Sequence, residues 1–472
     1  MKLRRILLGI AAAVLMIGIG TFFFSQNFAK QEKNDQEVSG KLAKALDTIE
    51  QHYVDDVSRD QLIEGAIEGM VSTLEDPFSD YMDSETSKQF RQSLESSFEG
   101  IGAEIGLIDG GVTITSPLRD SPAEKAGLRA NDRIVEIDGE SIEGWSVHEA
   151  VSKIRGEGGT SVTLTIQRSG TSDPFQVEIT RDTIKIESVR VQSFERDGKT
   201  IARLQITSFS ENVASQFAEA LSELEEKGLD GLIIDVRGNP GGYLHETEKI
   251  GNLLIPGGEP IVQVEEKSGN VDVKTSTLKE TKPYPIVGLI DESSASASEI
   301  LAAALKESGG YELVGNTTFG KGTVQAPIEM NDGSMLKITT SRWLTAGGNV
   351  IDHEGVEPTI AQDHPDYFYA AALSIEEPLT YDTVSEQTAH AQKILTALGF
   401  ETGRTDGYFD KKTVKAMEAF QQAHDLTVNG ELNKDVASRL QEEILTHIRD
   451  DKNDVQLNKA IEVAVSKLKS DN

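Results

Sequence analysis

The 472-residue chain contains no cysteine. That excludes a disulfide scaffold, a thiol nucleophile, an iron–sulfur centre and any zinc site built on thiolates. Basic residues are scarce beside acidic ones: 46 Lys and Arg face 78 Asp and Glu, a formal net charge of −32. With no basic surplus to neutralise phosphates, nucleic acid is not an expected partner. Anionic lipid and wall polymers repel such a chain at long range, so any wall contact must be specific. Long apolar runs are absent but for one. Ile6–Phe24 runs 19 residues with Thr21 its one polar interruption, after Lys2, Arg4 and Arg5. As a helix it spans roughly 28 Å, near the thickness of a bilayer core. The flanking positive charge stays in the cytoplasm, which places the rest of the chain outside. Residues 1–30 read as a membrane anchor. A cleaved signal segment is the alternative, although Ser25–Ala29 is a poor cleavage site. Either way the chain is exported.

What is present is enough for packed cores: 38% of residues are hydrophobic, and the length suggests about three domains. Residues 37–95 read as helical, from the spacing of Leu42, Leu46, Ile49 and Tyr53 and then Leu62, Ile63, Ile67 and Met70, broken at Asp76-Pro77. Residues 96–180 carry short alternating runs such as Val112–Thr115 and Val162–Ile166. Two short helices interrupt them, one opening at Ser121-Pro122 and one at Ser146. Residues 183–375 alternate strands and helices and predict an α/β core. Residues 385–447 are helical around one loop, and 454–472 form a closing amphipathic helix.

Three segments carry chemistry. Ser296, with Glu299 three residues on, lies between a buried strand (Pro285–Asp291) and an Ala/Leu helix. This is capping-box spacing, and Ser296 as a plain helix cap is one reading. The other is a nucleophile at an exposed turn, where backbone N–H groups and the helix dipole stabilise an oxyanion. A serine nucleophile needs a base. None of the eight histidines sits in a motif that points to one. Lys321, between Gly320 and Gly322, is the candidate; an exposed turn is the bland reading. Gly315-x4-Gly320-Lys321 nearly matches a phosphate loop. Gly322 stands where a magnesium-binding hydroxyl belongs, however, and no helix start follows. A lysine base must be neutral when it accepts the proton, so it must be desolvated. Gln325 can orient the amine without adding charge. The third segment, Leu232–Tyr243, is an apolar strand followed by a Gly-rich turn. The N–H of Gly241 (or Gly242) is suited to face a substrate carbonyl. Asp235 and Arg237 are either structural or braces for this loop.

Together these segments resemble the carboxyl-terminal processing, or tail-specific, serine proteases. The likeness extends over Asp76-Pro-Phe-Ser-Asp-Tyr-Met82, residues 98–170, Asp235–Gly242, Ser294–Glu299, Gly320–Gln325 and Asp352–Pro358. It implies Ser296 as nucleophile, Lys321 as base, Gln325 as the residue that positions it, and Gly241 and Ala297 N–H groups as the oxyanion hole. No metal, nucleotide or other cofactor is implied. Residues 98–170 resemble a PDZ domain whose carboxylate-binding loop is Gly100-Ile101-Gly102-Ala103; Arg168 senses ligand, steadies the interdomain contact or is an ordinary surface arginine. Residues 386–445 resemble a three-helix peptidoglycan-binding module, carried by Gln392, Leu398-Gly-Phe400, Asp406-Gly-Tyr-Phe409, Phe420-Gln421 and Gly430. The implied architecture is a multidomain α/β chain. It comprises an N-terminal membrane helix, a helical region, a β-rich PDZ-like module, an α/β protease core and an inserted three-helix module. The implied partners are protein or peptide substrates with accessible C-termini, the membrane, peptidoglycan and, in a homodimer, a second copy. Two other functions fit the same sequence: a catalytically silent wall-attached scaffold, and a Ser-His-Asp hydrolase using His245 or His353.

Overall fold

The computed structural model describes residues 38–470, except 96, 109, 119–120 and 169–172. Among the described residues no helix is long and apolar enough to cross a membrane. The expected membrane segment, Ile6–Phe24, lies outside them. Two compact units emerge, one of residues up to 88 with 325–339, the other of 89–324 with 340–472.

In the first unit, helices occupy 38–52 and Arg59–Ser72. Ser58 caps the second helix in a complete capping box with Gln61. The helical expectation fails just beyond. Asp80–Met82 is a strand paired antiparallel with Met335–Lys337. Its Tyr81 and Met82 are buried. Asp76 organises the turn before it, accepting from Phe78 N–H at 3.0 Å and from Ser79 Oγ at 2.6 Å.

The second unit holds the α/β core. Its sheet runs Val189–Arg196, Lys199–Ile206, Gly231–Asp235, Ile286–Ile290, Glu312–Gly315 and Ile360–Ala361, parallel after the first antiparallel pair. Gly231–Asp235 and Ile286–Ile290 are buried at every position, as near-continuous apolar strands of a parallel sheet must be. Helices Val213–Lys227, Leu244–Leu254 and Ala297–Glu307 join one core cluster around Phe217, Leu254 and Leu301. The closing helix Val455–Ser470 packs Leu457, Ile461 and Ala464 with Ile201, Ile233 and Leu289 in another. This sheet places the ends of Gly231–Asp235 and Ile286–Ile290 side by side, so the two loops that follow them meet.

A separate antiparallel sheet (Ala103–Ile108, Gly111–Pro117, Asp132–Ile137, Ser161–Gln167, Phe175–Thr180) forms the β-rich module, with Ile114, Ile134, Leu164 and Ile166 as its core. Ser97–Gly100 pairs with Asp182–Lys185 beside it. Helices Glu386–Ala397, Lys411–Ala423 and Lys434–Arg449 enclose Leu395, Phe409, Phe420 and Leu440. The two motif glutamines of this module are fully buried loop staples. Gln392 donates to Tyr408 C=O and Thr413 Oγ1 and accepts from Gly407 N–H. Gln421 accepts from the N–H groups of Asn429 and Gly430.

Candidate active site

The strand Ile286–Ile290 ends at Asp291, and small residues let the chain turn into the helix at Ala297. Ser294 Oγ, fully buried, donates to Val236 C=O at 2.9 Å. The Asp291 carboxylate accepts the Gly238 N–H at 3.0 Å. The two loops are thereby stitched together. Ser296 itself has φ 54° and ψ −111°, a strained conformation for a residue with a Cβ, and is half-buried. Ala297 opens the helix, so its N–H is one of those a helix leaves without an intrahelical acceptor.

Glu299 explains how the strain is held. It is fully buried, and its Oε2 accepts from Ser296 N–H at 2.7 Å and from Lys321 N–H at 2.9 Å. Its Oε1 accepts from Thr318 Oγ1 at 2.6 Å and from Gly320 N–H at 2.7 Å. The capping spacing is therefore real, yet the carboxylate does more than cap: it ties the serine turn to the lysine loop. The lysine loop is fixed from its other side too. Buried Trp343 donates its indole N–H to Lys321 C=O at 2.7 Å and its backbone N–H to Gly322 C=O at 3.0 Å. Lys321 is half-buried on a pinned backbone, not a loose exposed turn. Gln325 donates to Thr339 Oγ1 at 3.1 Å. Thr339 N–H in turn donates to Ser79 Oγ, which Asp76 holds.

The glycine loop is braced by a buried ion cluster. Arg237 forks onto Asp235 (Nε to Oδ1 2.9 Å, Nη2 to Oδ2 2.8 Å) and onto Asp454 (2.8 Å), and reaches Gln456 Oε1 at 3.0 Å. The brace thus joins the loop to the start of the closing helix. Burial works against charge on Arg237, but the two carboxylates outweigh it and raise its pKa. Burial alone would likewise raise Asp454, but Arg237 holds it below the usual carboxylate value. Gly241 (φ 106°) abuts the nucleophile turn: a Cβ there would lie 2.8 Å from Ala295 C=O and 3.0 Å from Ser296 Cβ. Its N–H does not point outward as the sequence led us to expect. It donates to Asn239 Oδ1 at 2.9 Å in a tight side-chain turn. Asn239 was not singled out from sequence; a polar residue in a Gly-Asn-Pro-Gly-Gly turn gives no sign that it will be buried. His353, with an 86% exposed side chain, and His245, at 57%, lie opposite Asp352 and Glu246.

In the β-rich module, Ile101 C=O accepts from Ala123 N–H (2.8 Å) and Gly102 C=O from Leu118 N–H (2.9 Å). Trans peptide planarity then turns the N–H groups of Gly102 and Ala103 the opposite way, the arrangement a carboxylate-binding loop needs. Gly100 is buried at the end of its strand. Gly102 has φ 71°, and a Cβ there would fall 2.5 Å from Ser121 Cβ. The helix Val147–Ile154 packs against the strand Ala103–Ile108 and presents Val147 and Val151 half-buried. Arg168 is no ordinary surface arginine. It grips the fully buried Asp132 with two bonds (2.6 and 2.7 Å) and also donates to Gly127 C=O.

Similarity to known proteins identifies the family. The profile of peptidase family S41 matches residues 200–362 and that of the PDZ domain residues 113–168. The putative peptidoglycan binding domain matches 384–440, and the activating protease CtpB N-terminal domain matches 20–86. The chain is 47% identical over 433 residues to the carboxy-terminal processing protease CtpB of Bacillus subtilis, covering 92% of this chain and 90% of that one. It is 40% identical to the carboxy-terminal processing protease CtpA of the same organism, covering 89% of each chain. With a probable CtpA-like serine protease of Staphylococcus aureus it shares 34% identity, over 97% of this chain and 91% of the other. A multidomain α/β chain with a PDZ domain and an S41 core, it belongs to the carboxy-terminal processing serine proteases.

Proposed function

We propose that the chain is an exported, membrane-anchored endopeptidase that takes the C-terminal end of a protein substrate on its PDZ groove and cuts by serine–lysine chemistry. Neutral Lys321 takes the Ser296 hydroxyl proton as Oγ bonds to the scissile carbonyl carbon. The tetrahedral oxyanion is held by the N–H of Ala297 and by one N–H of the Gly241–Gly242 pair. The Lys321 ammonium then protonates the departing amine as the C–N bond breaks, leaving an ester on Ser296. Lys321 next deprotonates a water that attacks the ester, and Ser296 is restored. Gln325 is the residue the family resemblance assigns to orient the amine.

The observation that carries this reading is the shared Glu299 carboxylate, which binds the backbone of the serine and of the lysine in one buried cluster. The PDZ loop 100–103 receives the substrate's terminal carboxylate, and the groove gates access to the site. Residues 1–30 anchor the chain with its catalytic part outside the cytoplasm. The 385–447 module contacts peptidoglycan, and the N-terminal helical region supports a homodimer. Unstructured peptides with varied C-termini test the reading: the wild type cuts them, and Ser296→Ala and Lys321→Ala do not. A Lys321→Ala variant that retains turnover returns the base to His245 or His353.

A further inference from the structure

Asn239 is fully buried and makes hydrogen bonds to three segments. Its side-chain amide donates to the C=O of Ile206, the last residue of a core strand, at 2.8 Å. Its Oδ1 accepts the Gly241 N–H at 2.9 Å. Its own C=O accepts from Ala295 N–H at 3.0 Å and from Ser298 Oγ at 2.8 Å, one on each side of Ser296. The glycine loop is held on a further side by Phe209. Phe209 N–H donates to Gly241 C=O (2.9 Å), and Phe209 C=O accepts from Tyr243 N–H (2.8 Å). These two bonds form a parallel bridge around Gly242. Because Gly241 C=O faces Phe209, the Gly242 N–H in the same trans peptide faces away from it. Gly242 belongs there: its φ is 144°, and a Cβ would fall 2.3 Å from Phe209 C=O.

We propose that Asn239 is a positioning residue that selects the oxyanion donor of the glycine loop. By capturing the Gly241 N–H it removes that group from the reaction, and by fixing the peptide plane it presents the Gly242 N–H alongside that of Ala297. A Cβ at Gly241 would lie 3.1 Å from Ala297 N, so the residue that precedes Gly242 is packed against the start of the Ala297 helix. This rests on the protease reading above.

The sign of one substitution separates the alternatives. Asn239→Ala frees Gly241 N–H and loosens the loop. If Asn239 positions the donor, kcat on a reporter peptide falls about a hundredfold or more, the scale of losing one oxyanion donor. KM stays within about threefold, since ground-state binding is untouched. Affinity for the corresponding peptide aldehyde, whose adduct with Ser296 carries the oxyanion, falls in parallel with kcat. Binding of the uncut peptide to an Asn239→Ala/Ser296→Ala chain remains as in Ser296→Ala alone. An Asn239→Ala chain with unchanged or raised kcat overturns the proposal; a raised kcat makes Gly241 N–H the true donor and Asn239 its inhibitor. Should Asn239→Ala fail to fold, Asn239→Ser serves, because a serine hydroxyl forms the same turn more weakly. Its kcat is expected between those extremes, and a value at or above wild type overturns the proposal equally. Failure of the protease reading looks different: the wild type itself would not cut, or Ser296→Ala would cut as fast.

Discussion

Ser296 and Lys321, 25 residues apart in the chain, donate their backbone N–H groups to the same carboxylate oxygen, Glu299 Oε2, at 2.7 and 2.9 Å. The bonds fix the two backbones, not the two side chains, and so set the frame within which an amine and a hydroxyl can meet. A single buried acceptor also makes the two loops move as one.

Glu299 satisfies four donors with two oxygens, and glutamine cannot, because its NH2 accepts nothing. Glu299→Gln is expected to cost about 1–3 kcal/mol of stability and Glu299→Ala about 3 kcal/mol or more, through stranded buried donors. Both should lose turnover more severely than binding of a C-terminal peptide. Denaturant unfolding and kcat on a reporter peptide measure the two effects.

The Asp454–Arg237 pair makes stability depend on acid. The Asp454 carboxyl sits below its ordinary value in the folded chain. Its contribution is therefore complete above the unfolded value of about 3.9 and is lost as pH falls through the folded one. Half-buried His364, lowered by burial and then by the charge of Arg237, acts in the same sense from a higher pH. Its stabilisation is complete above about 6.5 and declines below. Melting temperature should fall in two stages on acidification. Asp454→Asn should flatten the lower stage and His364→Gln the upper one. A wild-type melting temperature flat from pH 7 to 3 would contradict both.

Gly102→Ala tests the PDZ loop. The added methyl meets Ser121 Cβ at 2.5 Å in a left-handed conformation, so the loop must shift and the cap of the helix at Pro122 with it. Affinity for a C-terminal peptide should fall at least about tenfold while cleavage of an untailed short peptide by the core changes little. Fluorescence anisotropy with labelled peptide gives the first number; equal affinity would remove the loop from ligand binding.

Ser79→Ala breaks the relay Asp76–Ser79–Thr339 behind Gln325. The substitution removes two hydrogen bonds from a part-buried cluster and should cost about 1–3 kcal/mol of stability, read from denaturant unfolding.

Much of this was legible in the sequence, and the exceptions have physical reasons. Periodicity located the helices Val213–Lys227 and Val455–Ser470, since each buries one face; Ala297–Glu307, buried on every side from Ala297 to Leu305, was legible only from its Ala/Leu composition. The strand Asp80–Met82 was not seen: three residues are too few for alternation to register. The Ser296–Glu299 spacing pointed to a cap, and only the fold brings Thr318, Gly320 and Lys321 to the same carboxylate. Arg237 read as either structural or a brace, and its second partner lies 217 residues away, beyond any local pattern. Gly241 was assigned by its place in a Gly-rich turn. The direction of its N–H depends on the side chain of Asn239, which composition does not reveal.

The whole reaction depends on deprotonation of Ser296 by the amine of Lys321. The direct measurement is the pH dependence of kcat/KM on an unstructured peptide, for wild type, Lys321→Ala and Ser296→Ala. Wild-type activity should rise into the alkaline range as the lysine becomes neutral, with both variants inactive throughout. A Lys321→Ala chain that cuts at the wild-type rate would contradict it.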